Sequence, residues 1–105
     1  MKLDINHIES NIRHHSRPGA YPWFILLDSK GQPLMVTPPG YRVEPAIWYK
    51  ASLFTAERVA KVAALASEQL GEQVKCSGLV QYLDKLRDDL VRAERAEAGA
   101  AIHAD

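Results

Sequence analysis

The sequence predicts an α+β fold: a two-layer sandwich in which a three- to four-stranded, mostly antiparallel sheet lies under two long C-terminal helices, with a short helix at the N-terminus. Three observations predict it. All six prolines and seven of the eight aromatic residues fall between Pro18 and Phe54, a segment of turn and strand composition. From Thr55 onward Ala, Leu, Glu and Arg predominate, side chains that lose little rotamer freedom in a helix. Apolar residues recur at helical spacing on either side of the central segment, whereas inside it they run continuously or alternate.

The 105 residues carry 13 Lys+Arg against 13 Asp+Glu, and 47% are apolar. This balance suits one globular domain, expected over residues 1–98 with a disordered tail over 99–105, and excludes wholesale disorder and collagen-like structure. No unbroken apolar run is longer than that from Trp23 to Leu27, far short of the roughly 20 residues needed to span a bilayer, so no membrane association is expected. The polar N-terminus lacks the apolar stretch of a signal peptide, and a cytoplasmic location follows as the expectation.

Ile5, Ile8 and Ile12 share one side of the first helix, with Asp4 expected as its N-cap and Leu3 and Ile8 as a hydrophobic staple. Ser16-Arg17-Pro18-Gly19 ends it. Trp23-Phe24-Ile25-Leu26-Leu27, the tight turn Asp28-Ser29-Lys30-Gly31 and the returning Leu34-Met35-Val36-Thr37 read as a β-hairpin. Pro38-Pro39-Gly40 forces a turn, and a third strand is expected over Ala46 to Ala51, with Tyr41 to Glu44 as its extension or as loop.

Thr55 caps the next helix, Glu57 sits favourably in its first turn, and Gly71 stands where a terminating glycine belongs. Val74 and Cys76 alternate as an edge strand does. Ser77 is expected to cap the last helix, whose apolar stripe is Leu79, Tyr82, Leu83, Leu86, Leu90 and Ala93. Every strand is apolar on both sides. Either the N-terminal helix closes the second sheet face, or that face is an interface.

Catalytic and metal-binding templates find little support. His7 and His14 lie two helical turns apart, roughly 10 Å, too far for one metal, and the i,i+4 partner of both His7 and His15 is Asn11, a poor zinc ligand. Neither a metal nor any other cofactor is expected. Cys76 is the one candidate nucleophile, placed just before a helix start, and a lone cysteine is more often a packing residue. No GxGxxG, GxxxxGK[ST] or GxSxG motif occurs, so no enzymatic activity is expected.

Nucleic-acid binding through Arg13, Arg17, Arg42 and Lys50, with sheet aromatics stacking on bases, is the alternative. The charges give it weak support: residues 1–54 hold six basic and four acidic groups, residues 55–105 seven and nine. A neutral chain lacks the usual electrostatic footprint. The leading expectation is a non-enzymatic protein-interaction module with a protein partner, and a homodimer as one form of that association. Aromatic residues and Arg dominate interface hot spots, which singles out Trp23, Tyr41, Arg42, Trp48 and Tyr49.

The succession of an apolar strand, the Asp-Ser-Lys-Gly turn, a second strand and Ala-Ser-Leu-Phe-Thr-Ala-Glu-Arg-Val-Ala opening an Ala-rich helix, over residues 23–70, resembles small accessory proteins of bacteria, phages and mobile elements. That resemblance implies a single-domain protein acting by binding a host or regulatory protein, a class that includes inhibitors of host defence systems. It implies that Phe54 packs beneath the helix and Thr55 caps it. It assigns no activity.

Overall fold

Thr55 opens the central helix as its sequence predicts: its Oγ1 accepts the Arg58 N–H at 3.3 Å. Gly71 closes that helix in the left-handed conformation (φ +67°), and its N–H donates to the Ser67 carbonyl at 2.9 Å. The computed structural model describes residues 2–38 and 40–103, with side chains described for 5–38 and 40–97. Its elements are α1 (Lys2–Ser16), β1 (Phe24–Leu27), β2 (Leu34–Thr37), β3 (Arg42–Pro45), a 3-10 turn (Trp48–Lys50), β4 (Leu53–Phe54), α2 (Ala56–Leu70), β5 (Lys75–Gly78) and α3 (Leu79–His103). The fold is α+β, with three helices and a mostly antiparallel strand arrangement among the described residues.

The chain divides into two compact units, Met1–Ala20 with Val80–Asp105, and Tyr21–Leu79. In the Tyr21–Leu79 unit β1 is the middle strand of a sheet ordered β4-β1-β5, antiparallel throughout, and β2 and β3 form a second, two-stranded sheet. The core of this unit lies under α2. Leu26 and Leu34 from the strands meet Val59, Val62, Ala63 and Ala66 from the helix, and Phe54 packs in the same cluster. Small residues on the buried face of α2 allow the close approach that its alanines imply. In the other unit Ile8 of α1 and Leu83 of α3 are fully buried, each the centre of the apolar stripe expected on its helix.

Several expectations are corrected. The turn after β1 forms as predicted: the Gly31 N–H donates to the Asp28 carbonyl at 3.0 Å, and Asp28 Oδ1 accepts from the Lys30 and Gln32 amides, each at 2.9 Å. The hairpin does not follow. β1 and β2 pair only through an isolated Leu27–Pro33 bridge, because the Leu34 carbonyl that the next rung of a ladder needs is turned to Ser52. Ser52 takes up the free edge of β2 instead, its N–H donating to the Leu34 carbonyl at 3.2 Å.

The strand expected over Ala46–Ala51 is absent. Its place is taken by the 3-10 turn, closed by the Lys50 N–H to the Ile47 carbonyl at 2.8 Å, and the strand pairing moves out to β3 and β4 on either side. Asp4 lies inside α1, which begins at Lys2, so it is not the N-cap; the Leu3 side chain of the expected staple lies outside the described residues. Ser77 is the third residue of β5, paired with Ile25, and does not cap α3. The segment from Gly99, expected as a tail, continues α3 to His103, and residues 104 and 105 lie outside the described residues. Finally, the second face of β1 is not an open apolar surface, since Ile25 has no exposed area.

Candidate functional site

The segment between β3 and β4 combines exposure with a fixed backbone. Entering it, the Ala46 N–H donates to the Pro33 carbonyl at 2.9 Å, and Gln32 Nε2 donates to the Ala46 carbonyl at 2.8 Å. Leaving it, Ser52 is held to β2 twice over, by its own N–H to Leu34 and through its hydroxyl, which accepts the Val36 N–H at 2.8 Å. Ile47 and Ala51 are both extended and flank the 3-10 turn. Within these anchors Ile47 is 48% exposed and Tyr49 54%, while Trp48 between them is half-buried. The Trp48 and Tyr49 rings meet edge to face, with centroids 5.4 Å apart, a favoured geometry for two aromatic quadrupoles. Lys50 follows, exposed.

The remaining residues singled out from the sequence stand elsewhere. Tyr41 stands just before β3 with φ at +51°, a backbone conformation that costs a non-glycine residue free energy. Gln69 Nε2 of α2 donates to the Tyr41 carbonyl at 2.7 Å and holds it there. Arg42, with most of its side chain exposed, pairs with Glu44 at 3.3 Å. The β2–β3 register sets Arg42 against Thr37 and Pro45 against Leu34. Three strand residues, roughly 10 Å, therefore separate the Tyr41–Arg42 end of β3 from the end that leads into Ile47–Tyr49. Trp23 precedes β1, half-buried; its ring lies 4.8 Å from that of Tyr21, and its carbonyl accepts the Leu79 N–H at 2.9 Å. Of the five residues expected at a partner surface, only Trp48 and Tyr49 belong to the anchored segment. Ile47, which sequence reasoning passed over, joins them; the alternation Ile47-Trp48-Tyr49 was its signal, read there as a strand.

The basic residues belong to different units. Arg13 lies in the last turn of α1 and Arg17 just beyond it, whereas Arg42 and Lys50 belong to the other unit. Arg17 folds back on α1: its Nη1 donates to the His14 carbonyl at 2.9 Å and to His14 Nδ1 at 2.6 Å. Burial, together with the neighbouring His14 and Arg17, holds His15 below the ordinary histidine pKa.

Cys76 is exposed, with its Sγ 3.9 Å from the Val59 carbonyl. Partial burial pushes its thiol pKa up, the opposite of what activates a nucleophile. Among the described residues no three His, Cys, Asp or Glu side chains are grouped to hold a metal ion, and no helix is long and apolar enough to cross a membrane. No family model, curated protein or solved structure matches the chain.

Proposed function

We propose that the chain is a small, non-enzymatic protein-interaction module that binds a protein partner through the segment Ile47–Tyr49. One observation carries this reading: exposed Ile47 and Tyr49 side chains ride on a backbone fixed at both ends by hydrogen bonds to Pro33 and Leu34. Association loses free energy to the ordering of loops and side chains, and a segment held in one conformation before binding loses less. Tyr and Trp are the residues most enriched among binding hot spots, and Trp48 supports Tyr49 edge to face. The resemblance to accessory proteins of phages and mobile elements suggests a host or regulatory protein as the partner. Nucleic acid is the rival ligand, and the balance of 13 Lys+Arg against 13 Asp+Glu counts against it.

The test is affinity capture from bacterial lysate with the wild-type chain, Tyr49→Ala and an Arg13→Ala/Arg17→Ala double variant as baits, with and without nuclease. The reading expects a protein retained by the wild type and the double variant, insensitive to nuclease, and lost with Tyr49→Ala. Capture that vanishes with nuclease or with the arginine substitutions overturns it in favour of nucleic acid.

A further inference from the structure

We infer that the protein partner receives residues 47–50 in a cleft that is apolar within and acidic at the rim, where Lys50 meets it. The inference rests on the reading of this segment as the binding surface, and it adds the shape and charge of what is bound. Along an extended strand, the carbonyls of successive residues point to opposite edges. The Pro33 carbonyl accepts the Ala46 N–H, and that of the next residue, Leu34, accepts the Ser52 N–H. Ala46 and Ser52 are therefore held on opposite edges of one strand, two strand spacings or about 10 Å apart. The chain between them could reach roughly 20 Å if extended. It bows out instead as an arch from one edge to the other, and its crown is closed by the Lys50 N–H to the Ile47 carbonyl. Ile47 and Tyr49, each about half exposed, stand on that crown.

Shape and charge together select the occupant. A projecting crown touches a flat surface at few points, whereas a cleft surrounds it and takes both apolar side chains out of water, the setting in which hot-spot residues act. The charges beside the crown are Arg42, Glu44 and Lys50. Arg42 and Glu44 pair with each other at 3.3 Å. Lys50 is exposed and, among the described residues, forms no ion pair. A lysine carried into an interface loses hydration that only an opposite charge restores. The partner that fits is therefore a protein with Asp or Glu at the mouth of an apolar cleft.

The test takes the protein recovered by affinity capture, purifies it, and measures its binding to the full chain on a biosensor. Wild-type affinity should fall as salt rises. Lys50→Glu should bind about tenfold more weakly and lose that salt dependence, while Lys50→Arg should bind as the wild type. The full chain with p-benzoylphenylalanine at position 49 should cross-link to residues lining one cavity of the purified protein, with Asp or Glu at its mouth. Binding that is lost with Tyr49→Ala but is indifferent to salt and to Lys50→Glu overturns the acidic rim and leaves the binding segment standing. Cross-links that fall on an open face or a sheet edge overturn the cleft in the same way. No captured protein, capture unaffected by Tyr49→Ala, or Tyr49-dependent sedimentation with vesicles of phosphatidylcholine and phosphatidylserine in place of a protein overturns the segment and the cleft together.

Discussion

The Ser52 hydroxyl bridges both backbone groups of Val36: it accepts the Val36 N–H at 2.8 Å and donates to the Val36 carbonyl at 3.3 Å. A side chain thereby does for β2 what a third strand would do, and it ties the exit of the Ile47–Tyr49 segment to the two-stranded sheet. Replacing it tests both roles. Ser52→Ala leaves two half-buried backbone groups without their partner and should lower stability by about 1–3 kcal/mol. Urea unfolding measures that loss, and an unchanged midpoint contradicts the role given to Ser52.

Gly71 offers a cleaner local test. Nothing lies within 4 Å of the position a Cβ would take, so only its φ of +67° resists a side chain. Gly71→Ala should cost about 1 kcal/mol through that conformation alone. Thr55→Ala, which removes the cap from the other end of α2, should cost about 1 kcal/mol as well. The two sites are a full helix apart, so their effects should add in the double variant. Thermal melts of the four proteins check this.

These two residues also mark what was legible in the sequence. The limits of α2 and the turn at Asp28–Gly31 were readable because caps and tight turns are decided by a few adjacent residues. Strand partners were not. Phe24–Leu27 could be seen as a strand, but its neighbours are Leu53–Phe54 and Lys75–Gly78, distant in the chain, and Ser52 takes the Leu34 carbonyl that the hairpin suggested by the turn would need. Ile47-Trp48-Tyr49 has strand composition yet bends into a 3-10 turn, because Ala46 and Ser52 are both held by β2 and the flanking Pro33–Leu34. Ser77 illustrates the same limit from the other side. As a residue type it suits an N-cap, and its pairing with Ile25 makes it part of a strand. The candidate site is half legible in the sequence: the chemistry of Trp48 and Tyr49 singles them out, while Ile47 and the anchoring by Gln32 and Ser52 depend on the third dimension.

Acid should destabilise the fold through His15. Burial first, then the charges of His14 and Arg17, lower its pKa from the ordinary 6.5. The unfolded chain therefore binds more protons than the folded one as pH falls through about 6.5, and stability declines in that direction. His15→Gln should flatten the pH dependence of the unfolding midpoint between pH 7 and the lowered value. A slope identical to that of the parent contradicts the assignment.

Cys76 should react sluggishly. Burial raises its pKa, so less thiolate is present at mildly alkaline pH than in an unstructured peptide, and the thiolate is the reactive form. Alkylation followed by mass spectrometry should be slower for the folded chain than for the same chain in denaturant. Equal or faster labelling of the folded form would restore Cys76 as a candidate nucleophile.

The central claim is that the anchored Ile47–Tyr49 segment is a protein-binding surface, and Tyr49 is its most exposed large side chain. The direct measurement is nuclease-treated affinity capture with wild-type and Tyr49→Ala baits whose circular dichroism and melting match. The account predicts a protein recovered in stoichiometric amount with the wild type and lost with Tyr49→Ala. Equal recovery of that protein by both baits contradicts it.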